Sequence, residues 1–193
     1  MGQICSFMFA SLDGYHETSE HELSWQDVDE EFDQWDLAQL ADAATLLLGR
    51  VTYSSFAEFW PTPEALDVDP VRAKLLNAMP KVVVSATLRE AAWDNTTIVS
   101  ADVDAELSKL REQAGGTIQV IGSAKLTSYL IQVRLLDELR VMVSPVLLGS
   151  GIPAFPVASQ VNMELLQSRQ FANGNMLLTY RPQAADTADQ LEA

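Results

Sequence analysis

The run Leu46-Leu47-Leu48-Gly49-Arg50-Val51-Thr52-Tyr53 carries the first decision about this chain. Three uninterrupted leucines fit either the end of a preceding helix or a short strand buried on both faces. The glycine behind them and a new helical period favour the strand. That period is Tyr53, Phe56, Ala57 and Trp60, at i, i+3, i+4 and i+7, and Pro61 and Pro63 close it. The same order returns where Ile118 to Ile121 runs into Gly122-Ser123-Ala124-Lys125 and then into a helix carrying Leu126, Tyr129, Leu130 and Val133. Strand, glycine turn and helix, twice in one chain, predict a layered α/β fold whose helix-preceding strands run parallel.

Outward from these junctions the remaining elements follow. Residues 3–10 read as a first buried strand, stopped by the turn signal Leu12-Asp13-Gly14. Residues 15–25 are polar and mixed and read as a surface loop. From Asp27 to Ala44 helical spacing runs through Val28, Phe32, Trp35 and Leu40, with acids crowding the first turns where the helix dipole favours them. Pro70 to Met79 predicts a short helix, Lys81 to Ser85 a buried β-branched strand and Thr96 to Ser100 another. Asp102 is expected to cap a helix bearing Val103, Leu107, Leu110 and Ala114, ended by Gly115-Gly116. Past Leu136-Asp137 the pattern alternates through Leu139, Val141 and Val143, and residues 161–182 hold two strands around Asn173-Gly174. The expectation is a mostly parallel central sheet with a C-terminal antiparallel hairpin, in one domain over residues 1–182, followed by a flexible acidic tail over 183–193.

Composition narrows the function. The chain has 193 residues, ordinary for one domain, with 12 Lys+Arg against 27 Asp+Glu and a net charge of −15. Such a field repels polyphosphate backbones and anionic lipid, so neither nucleic acid nor a membrane surface is an expected partner. A lone cysteine, Cys5, fits a reducing, cytoplasmic setting. No apolar run is long enough to span a bilayer. Met1-Gly2-Gln3-Ile4-Cys5-Ser6 fits a short myristoylation pattern, but the same residues open the first buried strand. Two histidines, His16 and His21, miss the zincin spacing, and no metal site is expected. Neither a Walker A run nor a Gly-x-Ser-x-Gly elbow occurs, and Gly149-Ser150-Gly151 lacks the following helix that a dinucleotide fingerprint needs.

The two junctions carry the chemistry. A helix start offers unpaired N–H groups and about half a positive charge, which suits phosphate oxygens. Glycine permits close approach, Thr52 or Ser123 adds a hydroxyl, and Arg50 adds a guanidinium. Each junction is equally an ordinary glycine turn between a strand and a helix.

Four segments in order give the chain a resemblance: Ser11-Leu12-Asp13-Gly14-Tyr15; Leu48 through Tyr53; Lys81 through Leu88; and the block from Val120 to Phe155, with Leu136-Asp137-Glu138-Leu139 and Pro145 through Gly151 most specific. Across residues 3–181 it resembles the dihydrofolate reductase-like superfamily, and more closely the reductase domain of the bacterial riboflavin-biosynthesis deaminase-reductase. The resemblance implies a three-layer fold, usually a homodimer, and hydride transfer from NADPH to a small pteridine- or ribosylaminopyrimidine-like substrate. By the same likeness, Phe9 and Ala10 face the nicotinamide, and Gly49, Arg50, Val51 and Thr52 hold the pyrophosphate. Ser85, Thr87 and Leu88 lie near the adenosine and its 2′-phosphate, and Gly122, Ser123, Ala124, Lys125 and Leu126 complete the cradle. Ala86 stands where relatives often carry an arginine, which leaves NADH as an alternative unless Arg50 or Arg89 substitutes. Asp33, sixteen positions before Gly49, falls where folate-reducing relatives keep their acid, and Asp36 is one turn further on. Trp25, Trp35 and Trp60 are candidate pocket walls. The alternative is a non-catalytic nicotinamide-nucleotide-binding module on the same fold.

Overall fold

The apolar runs are continuous because both faces of the sheet are covered. In a computed structural model that describes residues 1–183, the first strand β1 (Ile4–Ser11) sends Ile4, Met8 and Ala10 to one face and Phe7 and Phe9 to the other. The strand β3 (Ala43–Gly49) likewise divides Leu47 from Leu46 and Leu48. Between them lie β2 (Tyr15–Glu17) and α1 (Glu30–Asp42); after them come α2 (Arg50–Phe59), α3 (Pro63–Val68), α4 (Pro70–Ala78), β4 (Lys81–Val84) and β5 (Thr96–Val99). The second half contains α5 (Val103–Gln113), β6 (Thr117–Ile121), α6 (Ala124–Gln132), β7 (Glu138–Ser144), β8 (Ile152–Pro153), β9 (Met163–Gln170) and β10 (Met176–Pro182).

Eight strands form one sheet in the order β5-β4-β3-β6-β1-β7-β10-β9. The first six are mutually parallel, and the β9–β10 hairpin is antiparallel at one side. Helices α5 and α6 bury Leu107, Leu126, Leu130 and Ile131 on one face, while α1, α2 and α4 bury Phe32, Leu40, Tyr53 and Leu76 on the other. Three layers result.

Two charged residues anchor this frame. The Asp137 carboxylate accepts from Ile4 N–H at 2.8 Å and pairs with Arg111 of α5, tying β1, α5 and the start of β7 together. Lys81, only 1% exposed, donates to the carbonyls of Leu76 and Met79 at 2.8 and 2.7 Å, closing the end of α4 where helix carbonyls lack partners.

Several local expectations are corrected. Residues 15–25 are not wholly loop, because Tyr15–Glu17 pair with Ile152–Pro153 in a second, two-stranded sheet. The prolines expected only to end α2 also open a helix: Thr62 accepts from Ala65 N–H at 3.3 Å and Pro63 takes the first helical position. Asp102 precedes α5 in a left-handed conformation (φ +47°) and makes no side-chain cap. Asp29, not Asp27, begins α1, accepting from Phe32 N–H at 2.8 Å and leaving Val28 exposed. The tail expected over 183–193 lies, beyond Gln183, outside the described residues. No helix among the described residues is long and apolar enough to cross a membrane.

Candidate functional site

Strands β3 and β6 are hydrogen-bonded neighbours, with Leu46 opposite Gln119 and Leu47 opposite Val120. Each runs directly into a helix, so the starts of α2 and α6 stand side by side. The contact between them is direct: Gly49 N–H donates to Ser123 Oγ at 3.0 Å, and the hydroxyls of Thr52 and Ser123 are 2.7 Å apart. A Cβ on Gly49 would meet Ser123 Oγ at 3.2 Å, so glycine there permits the approach. Neither helix is capped by its own N-cap side chain: Gly49 before α2 has none, and the Ser123 hydroxyl before α6 reaches across to α2 instead. Gly122 and Ser123 are both left-handed (φ +58° and +59°), which turns the chain sharply between β6 and α6.

Two further segments extend this edge. Beyond β4, which pairs with β3 on the side away from β6, Ser85 Oγ accepts from Thr87 N–H at 3.2 Å and Leu88 N–H at 2.9 Å. On the other side of β6 is β1, with Phe9 and Ala10 near its end. The sequence-predicted segments therefore fall in the spatial order Ser85–Leu88, Gly49–Thr52, Gly122–Leu126 and Phe9–Ala10 along the carboxyl edge of four parallel strands, the first three at turns and the last at the end of β1 itself. Three inter-strand spacings make that row about 14 Å long. Within it Arg50 and Lys125 are exposed, Val51 points to solvent, and Ala124 and Leu126 are buried in the core. Only the backbone of the last two faces an occupant of this edge through a helix start.

The sequence reading missed His16, which lies in β2. Its imidazole is almost wholly buried, with Nδ1 3.2 Å from the Phe9 carbonyl and Nε2 toward Gly122. No spacing pattern signals it; the only hint is the Asp13-Gly14 turn, which sends the chain back beside β1. Asp13 fastens that turn by accepting from Ser11 Oγ at 2.6 Å and from Leu148 and Gly149 N–H at 3.1 and 2.7 Å. These hydrogen bonds, the serine's foremost, hold its carboxyl down to about 2.

An aromatic layer lies beside the Phe9 end of the row. Phe32 and Trp35 of α1 stack on Phe9 and Phe7, with ring centroids 5.2 and 5.1 Å apart, and Trp25 packs against the same group. Trp60 lies elsewhere, against Phe56 and Phe59. Asp33 and Asp36 both reach the same guanidinium of α4, each 3.2 Å from Arg72 Nη2, and Asp69 pairs with its other nitrogen. Neither aspartate hydrogen-bonds any residue of the four segments. Burial pushes the Asp36 carboxyl above the usual range, with Arg72 opposing. Cys5 is buried, and its thiol is pushed up to about 11. Among the described residues no group of three or more histidines, cysteines or acids is arranged to hold a metal ion.

The chain is similar to known proteins in sequence and in fold. The family described as RibD C-terminal domain matches residues 3–177. The uncharacterized protein YyaP of Bacillus subtilis (strain 168) is 30% identical over 172 residues, 88% of this chain and 89% of its own length. The fold is that of a putative riboflavin biosynthesis protein from Shewanella sp. PV-4, with a TM-score of 0.72 at 21% identity, covering 94% of this chain and 99% of the other. It is also that of a dihydrofolate reductase from Enterococcus faecalis complexed with NADP(H) and RAB-propyl, with a TM-score of 0.62 at 14% identity, covering 95% and 98%. The fold is therefore dihydrofolate reductase-like. With the match running over nearly all its length, this chain belongs to the RibD C-terminal domain family.

Proposed function

We propose that the chain is a reductase that uses a nicotinamide nucleotide, NADPH with NADH as the alternative, to reduce a small pteridine- or ribosylaminopyrimidine-like ring. The observation that carries this reading is the row of three turns and the end of β1 at the carboxyl edge of β4, β3, β6 and β1, where ligands of open α/β sheets bind. Two adjoining helix starts without side-chain caps suit a diphosphate, and Gly122 puts no side chain beside Thr52 at the start of α6. The E. faecalis neighbour, complexed with NADP(H) on this fold, supports the class of cofactor.

In this reading the Gly49–Thr52 and Gly122–Lys125 backbones bind the diphosphate, with Arg50 and Lys125 as local cations in a strongly acidic chain. Ser85, Thr87 and Leu88 border the adenosine end, where Ala86 supplies no guanidinium for a 2′-phosphate. Phe9 and Ala10 border the nicotinamide, which supplies the hydride when bound. The aromatic layer backs the nicotinamide end: Phe9 and Phe32 are buried within it, and the partly exposed Trp35 gives a planar ring an apolar neighbour. A proton must accompany the hydride. Of the two acids on α1, Asp36 is the better donor because burial raises its carboxyl, and Asp33 is more exposed. The exposed edge strand β9, with Leu165 and Leu166 open to solvent, supports association into a homodimer.

The test is direct. Fluorescence of NADPH and NADH is followed as protein is added, and their oxidation is then followed with dihydrofolate, dihydropterins and ribosylaminopyrimidines. Saturable binding and turnover with one of these rings is the expected result, and Asp36→Asn should lose turnover while keeping nucleotide binding. The second reading, a binding module without catalysis, is favoured by the ion pairs that tie Asp33 and Asp36 to Arg72. Binding without turnover selects it, and failure to bind either nucleotide rejects both.

A further inference from the structure

We infer that His16 is a contact residue for the bound nucleotide and that its protonation couples nucleotide affinity to pH; this rests on the nicotinamide-nucleotide reading above. His16 is the central residue of β2 and only 8% exposed. Its Nδ1 lies 3.2 Å from the Phe9 carbonyl. A carbonyl can only accept, so Nδ1 keeps a proton and Nε2 is the ring's free position. Nε2 makes no hydrogen bond with any described residue, and Glu17 Oε1, at 3.8 Å, is beyond reach of one.

The free nitrogen points toward Gly122 at the start of α6: the point that a Cβ on Gly122 would occupy lies 3.9 Å from His16 Nε2 and 3.7 Å from Thr52 Oγ1. An anion held by the two helix starts would meet the Thr52 and Ser123 hydroxyls on one side and the imidazole edge on the other. With a neutral ring the Nε2 lone pair repels such a group; with a protonated ring Nε2 donates to it, a charge-assisted bond. Binding therefore favours the imidazolium, and by linkage the imidazolium favours binding. Glu17, 3.8 Å from Nε2 and paired in turn with His21 at 2.7 Å, favours the same charge. Arg50 and Lys125 in the first turns of α2 and α6 oppose it, weakened by their exposure. Strand β8, paired with β2, brings only Ile152 and Pro153 and no charge.

NADP⁺ and NAD⁺ binding to the full chain is measured by titration calorimetry from about pH 5.5 to 8, around the ordinary histidine range, in wild type and His16→Gln. NAD⁺ lacks the titrating 2′-phosphate, and comparing the two proteins removes that group's contribution for NADP⁺. Wild-type affinity for NAD⁺ should fall roughly tenfold across this range, with proton uptake on binding, while H16Q stays flat at the weaker value; for NADP⁺ the same tenfold appears as the difference between the two proteins. In parallel, the ring resonances of ¹⁵N-labelled histidine in the wild type report the titration of His16 without any substitution. They should move to higher pH when nucleotide is added. An H16Q profile parallel to wild type, or a His16 titration unmoved by bound nucleotide, overturns the role given to His16 and leaves the cofactor reading standing. Absence of binding by the wild type at every pH overturns both.

Discussion

Lys81→Met tests how the frame beneath the site is held. In the folded chain the ammonium donates to the carbonyls of Leu76, Asn77 and Met79 at 2.8, 3.3 and 2.7 Å and stands 4.4 Å above the Trp93 ring. Burial dominates its titration and lowers its pKa from 10.5 to about 8, with Asp94 opposing. Below about 8 both states hold the proton, and the folded state bears the whole cost of a buried charge. Between that value and 10.5 the folded chain has released the proton and the unfolded chain has not, so stability rises with pH until the gain is complete. At roughly 1.4 kcal/mol per pH unit that interval is worth about 3 kcal/mol. Urea unfolding of wild type and K81M at several values from about pH 7 to 10.5 gives the difference, in which tyrosines and Cys5 cancel. Wild type should gain about 3 kcal/mol on K81M over that range. A difference that does not change with pH refutes the reasoning, because it means the folded state does not desolvate the ammonium.

Two further outcomes follow from the packing. Arg72→Gln leaves the largely buried Asp36 facing Asp33 and Asp69 without their guanidinium, and should cost about 2 kcal/mol at neutral pH. The loss should shrink as the pH is lowered, because burial favours the protonated Asp36, which needs no partner, as read from denaturant midpoints at neutral and acid pH. Gly2→Ala places a Cβ 2.7 Å from both the Ala114 Cβ and the Gly116 carbonyl, and should lower stability by about 1–3 kcal/mol, seen as a thermal midpoint several degrees lower.

The junctions at Gly49 and Gly122 were legible because each compresses its signal into a few adjacent residues: an unbroken apolar run, a glycine and a fresh helical period. Their proximity was not. The insertion of β6 between β3 and β1 is a tertiary choice that no local window contains, and the Thr52–Ser123 contact joins residues 71 positions apart. The same limit hid His16, whose three-residue strand has no periodicity and finds its partner in Ile152 and Pro153. Asp33 was locatable by its distance from Gly49, but Arg72, which claims it, comes from a helix packed across from α1. Pro63 was read as a stop, although Thr62 before it carried the signal of a start. Buried Lys81 passed unnoticed at the head of β4 because its partners are carbonyls, which every residue has.

The placement of β6 beside β3 also bears on how the chain matures. The two halves of the proposed nucleotide cradle are separated in sequence by α3, α4, β4, β5 and α5, so they stand side by side only once β6 has inserted between β3 and β1. Such long-range closure is the slow kind of assembly. A ligand gripping both halves would act as a clasp on the finished topology, ignoring partly threaded chains and lengthening the life of complete ones in proportion to its concentration.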